Sequence, residues 1–209
     1  MNDSYTIHHT PDPFADTRIP DSHQDTYSKT TLGFWIYLMS DCLLFATLFL
    51  TYAVLHTNTF GGPSAADLFK LPAAFTQTMI LLLSTVSCGF CMLSALKSDK
   101  KKVMKWLAIT FLLGASFIVL EITEFHHLAK EGHDWTKSAF LSSFFALVGT
   151  HGLHVSVGLL WLVVMIAQVS FSGITAITFR RLAIFSLFWH FLDLVWIFIF
   201  TFVYLIGVI

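Results

Sequence analysis

Five long apolar segments joined by short polar connections constrain the fold more than any other feature of this 209-residue sequence. Each is at least as long as the roughly 20 residues that an α-helix needs to cross a lipid bilayer. Helices are required because lipid offers no hydrogen-bond partner to an exposed backbone. The sequence therefore predicts a bundle of five transmembrane helices, at about residues 31–55, 73–97, 103–127, 138–168 and 182–208.

The composition places the chain among all-α integral membrane proteins. It is 56% hydrophobic and only 12% charged, whereas a soluble domain carries roughly 25% charged residues. Residues 1–30 are polar and contain three prolines, and they lack the pattern of a signal peptide. We expect them to form a cytoplasmic tail ahead of one transmembrane domain at 31–209. Nucleic acid is excluded as a partner because no basic patch is interleaved with aromatic residues.

The distribution of positive charge predicts the orientation in the membrane. With five crossings, nine of the twelve Lys and Arg residues fall on the side of the N-terminus. Because cytoplasmic loops carry the excess of Lys and Arg, we expect the N-terminus in the cytoplasm and the C-terminus in the periplasm. This arrangement fits a multi-pass protein of a bacterial inner membrane.

Polar residues inside the apolar segments are the candidate functional residues. His151 and His154 lie three apart in the fourth segment, so they share a helix face. Polar groups in hydrocarbon are costly and usually face protein or water rather than lipid. We therefore expect an intramembrane polar network, or contacts to lipid, built from both histidines and from the polar residues of the other helices: Asp41, Glu121, Glu124, His190 and Asp193.

The depths of four polar residues leave a second function open. Asp41, His154, His190 and Asp193 fall at similar depths, and Asp41, His190 and Asp193 would suit a proton relay in a proton-coupled transporter. An odd helix count does not divide into the inverted halves common in transporters. Asp41 also belongs to a small or polar stripe that we expect to face other helices: Gly33, Tyr37, Ser40, Leu44, Thr47 and Thr51.

The spacing of the polar residues does not match a metal or haem site. Di-iron bundles use Glu-x-x-His motifs on two helices, whereas this chain has ExxE, HxxH and HxxD. Haem ligation needs imidazoles that face each other, and His151 and His154 face the same way. We expect no metal ligand and no catalytic residue here, with a membrane cytochrome or di-iron enzyme as the remaining alternative. Cys88 and Cys91 are interpreted as packing residues.

Four stretches carry a resemblance to a known family. The chain resembles subunit III of the haem–copper respiratory oxidases, above all those of the cytochrome o type ubiquinol oxidases. It departs from the usual pattern in having Asp41 where Glu is common and Glu121 where Gln is common, and it begins at the third of the seven helices that many members have. The matching stretches are GFWIYLMSD at 33–41, LEITEF at 120–125, FF and GTHGLHV at 144–155, and WHFLDLVW at 189–196.

The resemblance implies an accessory subunit of a proton-pumping oxidase that oxidises ubiquinol and reduces O₂ to water. Haem and copper are then expected in subunit I and none in this chain. Subunit III would stabilise subunit I, bind phospholipid in a cleft between its helices, and assemble with subunits I, II and IV. The choice of ubiquinol over cytochrome c as electron donor comes from the resemblance alone.

Overall fold

The computed structural model describes residues 22–59, 71–132 and 135–208, with side chains over 29–207. The prediction of an all-α protein with five helices able to cross a membrane is confirmed. A π-helix extends the fifth. The elements are α1 (Ser22–Leu55), α2 (Leu71–Leu96), α3 (Lys100–Lys130), α4 (Ala139–Ser172), α5 (Ala176–Ile199), the π-helix (Phe200–Leu205) and α6 (Ile206–Val208).

The helices extend beyond the apolar segments that predict them. α1 begins at Ser22 rather than residue 31, so the last part of the predicted tail is helical, and residues 1–21 lie outside the described residues. α5 begins at Ala176 rather than residue 182, which places Arg180 and Arg181 inside the helix. Apolar composition marks the part of a helix that lipid surrounds, whereas the helix continues into the polar interface.

Polar side chains fix where three of the helices begin. Asp99 accepts a hydrogen bond from the backbone N–H of Lys102 at 3.2 Å, and Ser138 and Thr175 cap α4 and α5 in the same way. Such N-caps satisfy backbone donors that have no partner within the helix. Gly173 ends α4 with a φ of 70°, a conformation that glycine adopts without steric cost.

α2, α3, α4 and α5 pack in sequence and close into a ring, because α5 also contacts α2. α1 lies outside this ring, mainly against α4 and less extensively against α5. The first helix is therefore the least enclosed, and a groove separates part of it from α5.

Two tryptophans of α5 join it to α2. The indole N–H of Trp189 donates to Ser84 at 3.0 Å, and that of Trp196 donates to Thr78 at 3.1 Å. A side chain on Gly114 or Gly158 would collide with Trp189, since a Cβ there would lie 3.0 or 2.9 Å from its ring. Glycines of α3 and α4 thus make the room that this tryptophan occupies.

Hydroxyl groups form a further set of polar contacts, between α2 and α3. Thr110 donates to the Ser87 hydroxyl at 3.1 Å, and Ser87 donates to the Trp106 carbonyl at 3.1 Å. Small polar residues let helix backbones approach closely in a membrane and bond across the interface. Cys88 and Cys91 are free and buried on the same helix, and Cys91 contacts the Val103 carbonyl at 3.8 Å.

Candidate intramembrane polar sites

Asp41 and His154 form a polar contact between α1 and α4, beside the ring contacts that Phe45 of α1 makes with α4. Asp41 Oδ2 lies 3.8 Å from His154 Nε2, and Asp41 is only 6% exposed. His154 Nδ1 donates to the Thr150 carbonyl at 2.7 Å, because a carbonyl can only accept. With its proton on Nδ1, a neutral His154 has none on Nε2. A hydrogen bond between Nε2 and the Asp41 carboxyl therefore requires one further proton on either group. The Tyr37 hydroxyl lies beside Asp41 on the same helix.

Glu124 is held by donors from two other elements. Its Oε2 accepts from Gln77 of α2 at 3.1 Å, and its Oε1 accepts from the Tyr204 hydroxyl at 3.4 Å. Tyr204 lies in the π-helix, which closes this end of the bundle. The carboxyl group thus links α2, α3 and the π-helix through two hydrogen bonds.

Glu121, one turn before Glu124, packs against the backbone of α4. It is 4% exposed, and a Cβ on Gly152 would lie 2.9 Å from its carboxyl carbon. A side chain at position 152 would push this carboxyl from its present place. Among the described residues, its Oε2 has no hydrogen-bond partner.

His151 is enclosed by aromatic rings. It is completely buried, and its ring centre lies 5.2 Å from that of Trp196 and 5.9 Å from that of Phe117. Phe45 of α1 lies 6.3 Å away. Neither ring nitrogen has a hydrogen-bond partner in the described part of the chain, so ring packing is what positions this imidazole.

Asp193 and His190 lie one turn apart on α5 but differ in environment. Asp193 is 6% exposed and sits near the Thr85 hydroxyl of α2. His190 is exposed and donates from Nδ1 to the Ser186 carbonyl of its own helix at 2.6 Å. His190 therefore bonds its own backbone and presents its other nitrogen to the surroundings of the chain.

The structure divides the seven predicted residues among separate clusters. Asp41 meets His154, Glu121 and Glu124 lie together, and Asp193 lies against α2. Within the described ranges no hydrogen bond or ion pair joins Asp41 to His190 or Asp193, the contact that a proton relay among the three would need. No group of three or more His, Cys, Asp or Glu residues suited to a metal ion occurs in the described part of the chain.

The polar stripe predicted on α1 is wrong for this chain taken alone. Of its residues only Asp41 is buried; the others are exposed. The buried face of α1 carries larger side chains, namely Leu38, Phe45 and Tyr52. Large apolar side chains bury more surface against the ring of helices α2–α5 than small polar ones do, which explains why they form this interface.

An apolar groove of about 830 Å³ runs between α1 and the α5–π-helix segment. It extends from Cys42 to His56, a distance of roughly 20 Å along a helix, and Phe198 and Phe202 form part of its opposite wall. The Tyr52 hydroxyl is buried in this region, without a hydrogen-bond partner among the described residues. His56 stacks on Tyr52 with ring centres 6.1 Å apart.

Sequence reasoning missed the residues that complete these sites. Gln77 and Tyr204 supply the polar partners of Glu124, and Tyr52 brings a buried hydroxyl to the groove; all three lie in runs that look apolar. The seven-residue spacing of Trp189 and Trp196 was a usable signal, because it places two indole N–H groups on one face of α5. Their acceptors on α2 have a similar spacing.

The fold and the sites define a polytopic helical membrane protein whose buried polar groups join helices. The model of the family "Cytochrome c oxidase subunit III" matches residues 12–208. The chain belongs to this family. It is a multi-pass protein of the bacterial inner membrane, in keeping with its five spans and the bacterial origin of its relatives.

The proteins similar to this chain include subunits 3 of ubiquinol oxidases and of a cytochrome c oxidase. The chain is 56% identical to the cytochrome bo(3) ubiquinol oxidase subunit 3 of Pseudomonas aeruginosa, over 90% of each chain. It is 48% identical to the protein of that name from Buchnera aphidicola, over 88% of this chain and 94% of the relative. The cytochrome c oxidase subunit 3 of Bacillus sp. strain PS3 is 46% identical, over 85% and 86%.

Proposed function

We propose that this chain is the accessory subunit III of a proton-pumping haem–copper ubiquinol oxidase. The observation that carries the proposal is the 56% identity, over 90% of both chains, to a ubiquinol oxidase subunit 3. Electron transfer and proton pumping belong to the subunit that carries haem and copper. The role of this chain is to support that subunit, as one of several subunits that assemble into the oxidase.

The buried polar contacts support a structural role. Each ties together helices that lipid would otherwise separate: α1 to α4 through Asp41, α2 to α3 through Glu124, and α2 to α5 through the two tryptophans. Interhelical hydrogen bonds in membranes contribute about 0.6 kcal/mol each and up to roughly 1.7. Their sum keeps the bundle rigid enough to buttress a neighbouring subunit.

Deleting the chain from the oxidase tests this function. The purified complex that lacks it should keep its haem absorption spectrum and lose thermal stability or sustained turnover with ubiquinol. Re-expression of the chain in the same strain is the control and should restore both. Loss of the haem spectrum itself would contradict the proposal, because the redox centres would then depend directly on this chain.

The groove beside α1 is proposed to hold a phospholipid. Its walls are almost entirely apolar, which suits an acyl chain, and its length of roughly 20 Å exceeds the 15 Å half-thickness of a bilayer core. His56 at the end of the groove and the buried Tyr52 hydroxyl are the polar groups available to a headgroup and its ester linkages. A lipid held there would fill the space between the first helix and the rest of the bundle.

Filling the groove tests lipid binding. Ala53→Trp places a large ring in the groove, whereas Val54→Trp places it on the neighbouring, 65% exposed position outside the lining. The phospholipid retained by the purified complex, counted by native mass spectrometry, should fall only in Ala53→Trp. Equal retention by both variants would contradict this part of the proposal.

A further inference from the structure

A notch of about 140 Å³ opens on the outer surface where α3 meets α4. Its lining consists of Ile118, Glu121, Ile122 and Phe125 on the α3 side and Gly149, Gly152 and Ser156 on the α4 side. The α4 residues are three and four positions apart and share one face. Because they are small, this is a surface that the backbone or a side chain of another helix can approach closely.

Glu121 is an unused hydrogen-bonding group within the notch. It is 4% exposed, and its Oε2 has no partner in the described part of the chain. The two nearby donors, Gln77 and Tyr204, both bond Glu124 instead. None of the ion pairs among the described residues includes Glu121. No donor among the described residues therefore serves this oxygen, and the notch leaves room for one from a neighbouring molecule.

The depth of Glu121 decides which kind of molecule can supply the donor. It lies six residues beyond the middle of α3, about 9 Å along the axis, whereas the hydrocarbon core extends about 15 Å from its midplane. Lipid headgroups lie outside the core and do not reach this level. A side chain on a transmembrane helix passes through it.

We propose that the notch receives a hydrogen-bond-donating side chain from a transmembrane helix of another subunit of the oxidase, with Glu121 as acceptor. The inference rests on the proposed function, which supplies neighbouring subunits in the membrane. Exposed apolar side chains flank the notch, among them Ile122 and Leu153 at 61% and 64%. A partner helix covers them while its polar side chain reaches the carboxyl.

A pair of adjacent substitutions tests the notch. Ser156→Trp fills it from the rim, and Val157→Trp puts the same ring on the next position, which is 54% exposed and outside the lining. With an affinity tag on this chain, Ser156→Trp should lower the recovery of haem-bearing subunits about tenfold, as expected for roughly 1–3 kcal/mol of overpacking. Val157→Trp should match the wild type.

The outcomes separate the inference from the function on which it rests. Equal recovery in both variants overturns the notch as a docking site. A wild-type chain that brings down no haem-bearing subunit overturns the proposed function instead. Should Ser156→Trp fail to accumulate in the membrane, a benzophenone amino acid at Ile122 replaces it. Adducts to another oxidase subunit support the inference, and adducts to lipid alone overturn it.

Two substitutions at Glu121 separate the hydrogen bond from shape. Glu121→Gln keeps an acceptor of similar size, whereas Glu121→Leu removes it. Complexes with Glu121→Leu should dissociate about 3- to 20-fold more readily in a detergent titration, the range that corresponds to an interhelical hydrogen bond in a membrane. Glu121→Gln should stay near the wild type. Equal stability of both variants overturns the role of the carboxyl.

Discussion

Polar groups are paired differently in two regions of the molecule. One is the seam between α2 and α5, where Trp189 and Trp196 bond α2; the other is the outer face of α3 and α4. In the seam, both indole N–H groups and their hydroxyl acceptors are paired within the chain. On the outer face, Glu121 is buried with an oxygen that has no partner among the described residues. The contrast teaches that the two indole groups of the seam find their acceptors within this chain, whereas for Glu121 we propose a donor from a neighbouring subunit. Substitutions should therefore act on folding in the first region and on assembly in the second.

The largest effect is expected at the seam, from Trp189→Ala. The side chain is 1% exposed and bonds Ser84, so its removal leaves a large cavity and takes away the donor to the Ser84 hydroxyl. Truncation of a buried aromatic costs about 3–5 kcal/mol. The thermal midpoint of the chain within the purified complex should fall sharply, with Trp189→Phe as a milder control. An unchanged midpoint would show that the seam is not the core of the bundle.

A smaller effect is expected where the two regions meet, from Gly152→Ala. The added Cβ displaces the Glu121 carboxyl. Because that carboxyl ends a flexible side chain, the cost should lie at the lower end of the about 1–3 kcal/mol of overpacking. Shortening the carboxyl side chain in Gly152→Ala/Glu121→Ala should restore part of the loss in thermal midpoint. Strictly additive losses would mean that the carboxyl does not press on the glycine.

A weaker coupling is expected between α1 and the ring. A double-mutant cycle of Asp41→Asn and His154→Gln should give a coupling of about 0.6 kcal/mol and at most roughly 1.7. The 3.8 Å separation of Oδ2 and Nε2 favours the lower value, since it exceeds hydrogen-bond length. The cycle can be measured by thermal dissociation of the complex. A coupling of zero would remove this pair as the link between the helices.

The smallest effect is expected at the connection between α2 and α3. The hydrogen bonds and charge of Lys102 hold the pKa of Asp99 below its usual value. A lowered carboxyl pKa contributes stability that is present above the unfolded-state pKa and is lost as the pH falls through the folded-state pKa. Asp99→Asn, which keeps the cap but not the charge, should remove this acid sensitivity of the thermal midpoint below about pH 4. A persisting sensitivity would point to other carboxyl groups.

Much of the fold follows from residue type alone. The apolar runs predict all five helices, but not that α1 starts at Ser22, because polar residues beyond the membrane give no hydropathy signal. The sequence also places Glu121, Glu124 and Asp193 on helices, where the structure buries Glu121 and Asp193 and half-buries Glu124. It does not predict that Asp193 faces α2 rather than Asp41, since depth along a helix says nothing about rotation around its axis.

The partners of the acidic residues could not be predicted for a related reason. Tyr204 reaches Glu124 from a π-helix, and an α-helical periodicity applied to 182–208 assigns it to a different direction. Gln77 lies in a run otherwise read as apolar. The irregular turn at 200–205 sets the rotation of Tyr204 about the helix axis, and that rotation brings its hydroxyl to Glu124.

That irregular turn fixes how the C-terminal end of the fifth helix can vary. A π-helical turn accommodates an extra residue without unwinding its neighbours, and one residue corresponds to about 100° of rotation. Deleting Phe200 or Thr201 would rotate both Phe202 and Tyr204 about the helix axis, which would move the Tyr204 hydroxyl away from Glu124 and Phe202 off the groove wall. Length in this short stretch is thus under tighter restraint than side-chain identity, since one deletion would disturb the acid's hydrogen bond and the lining of the groove at once.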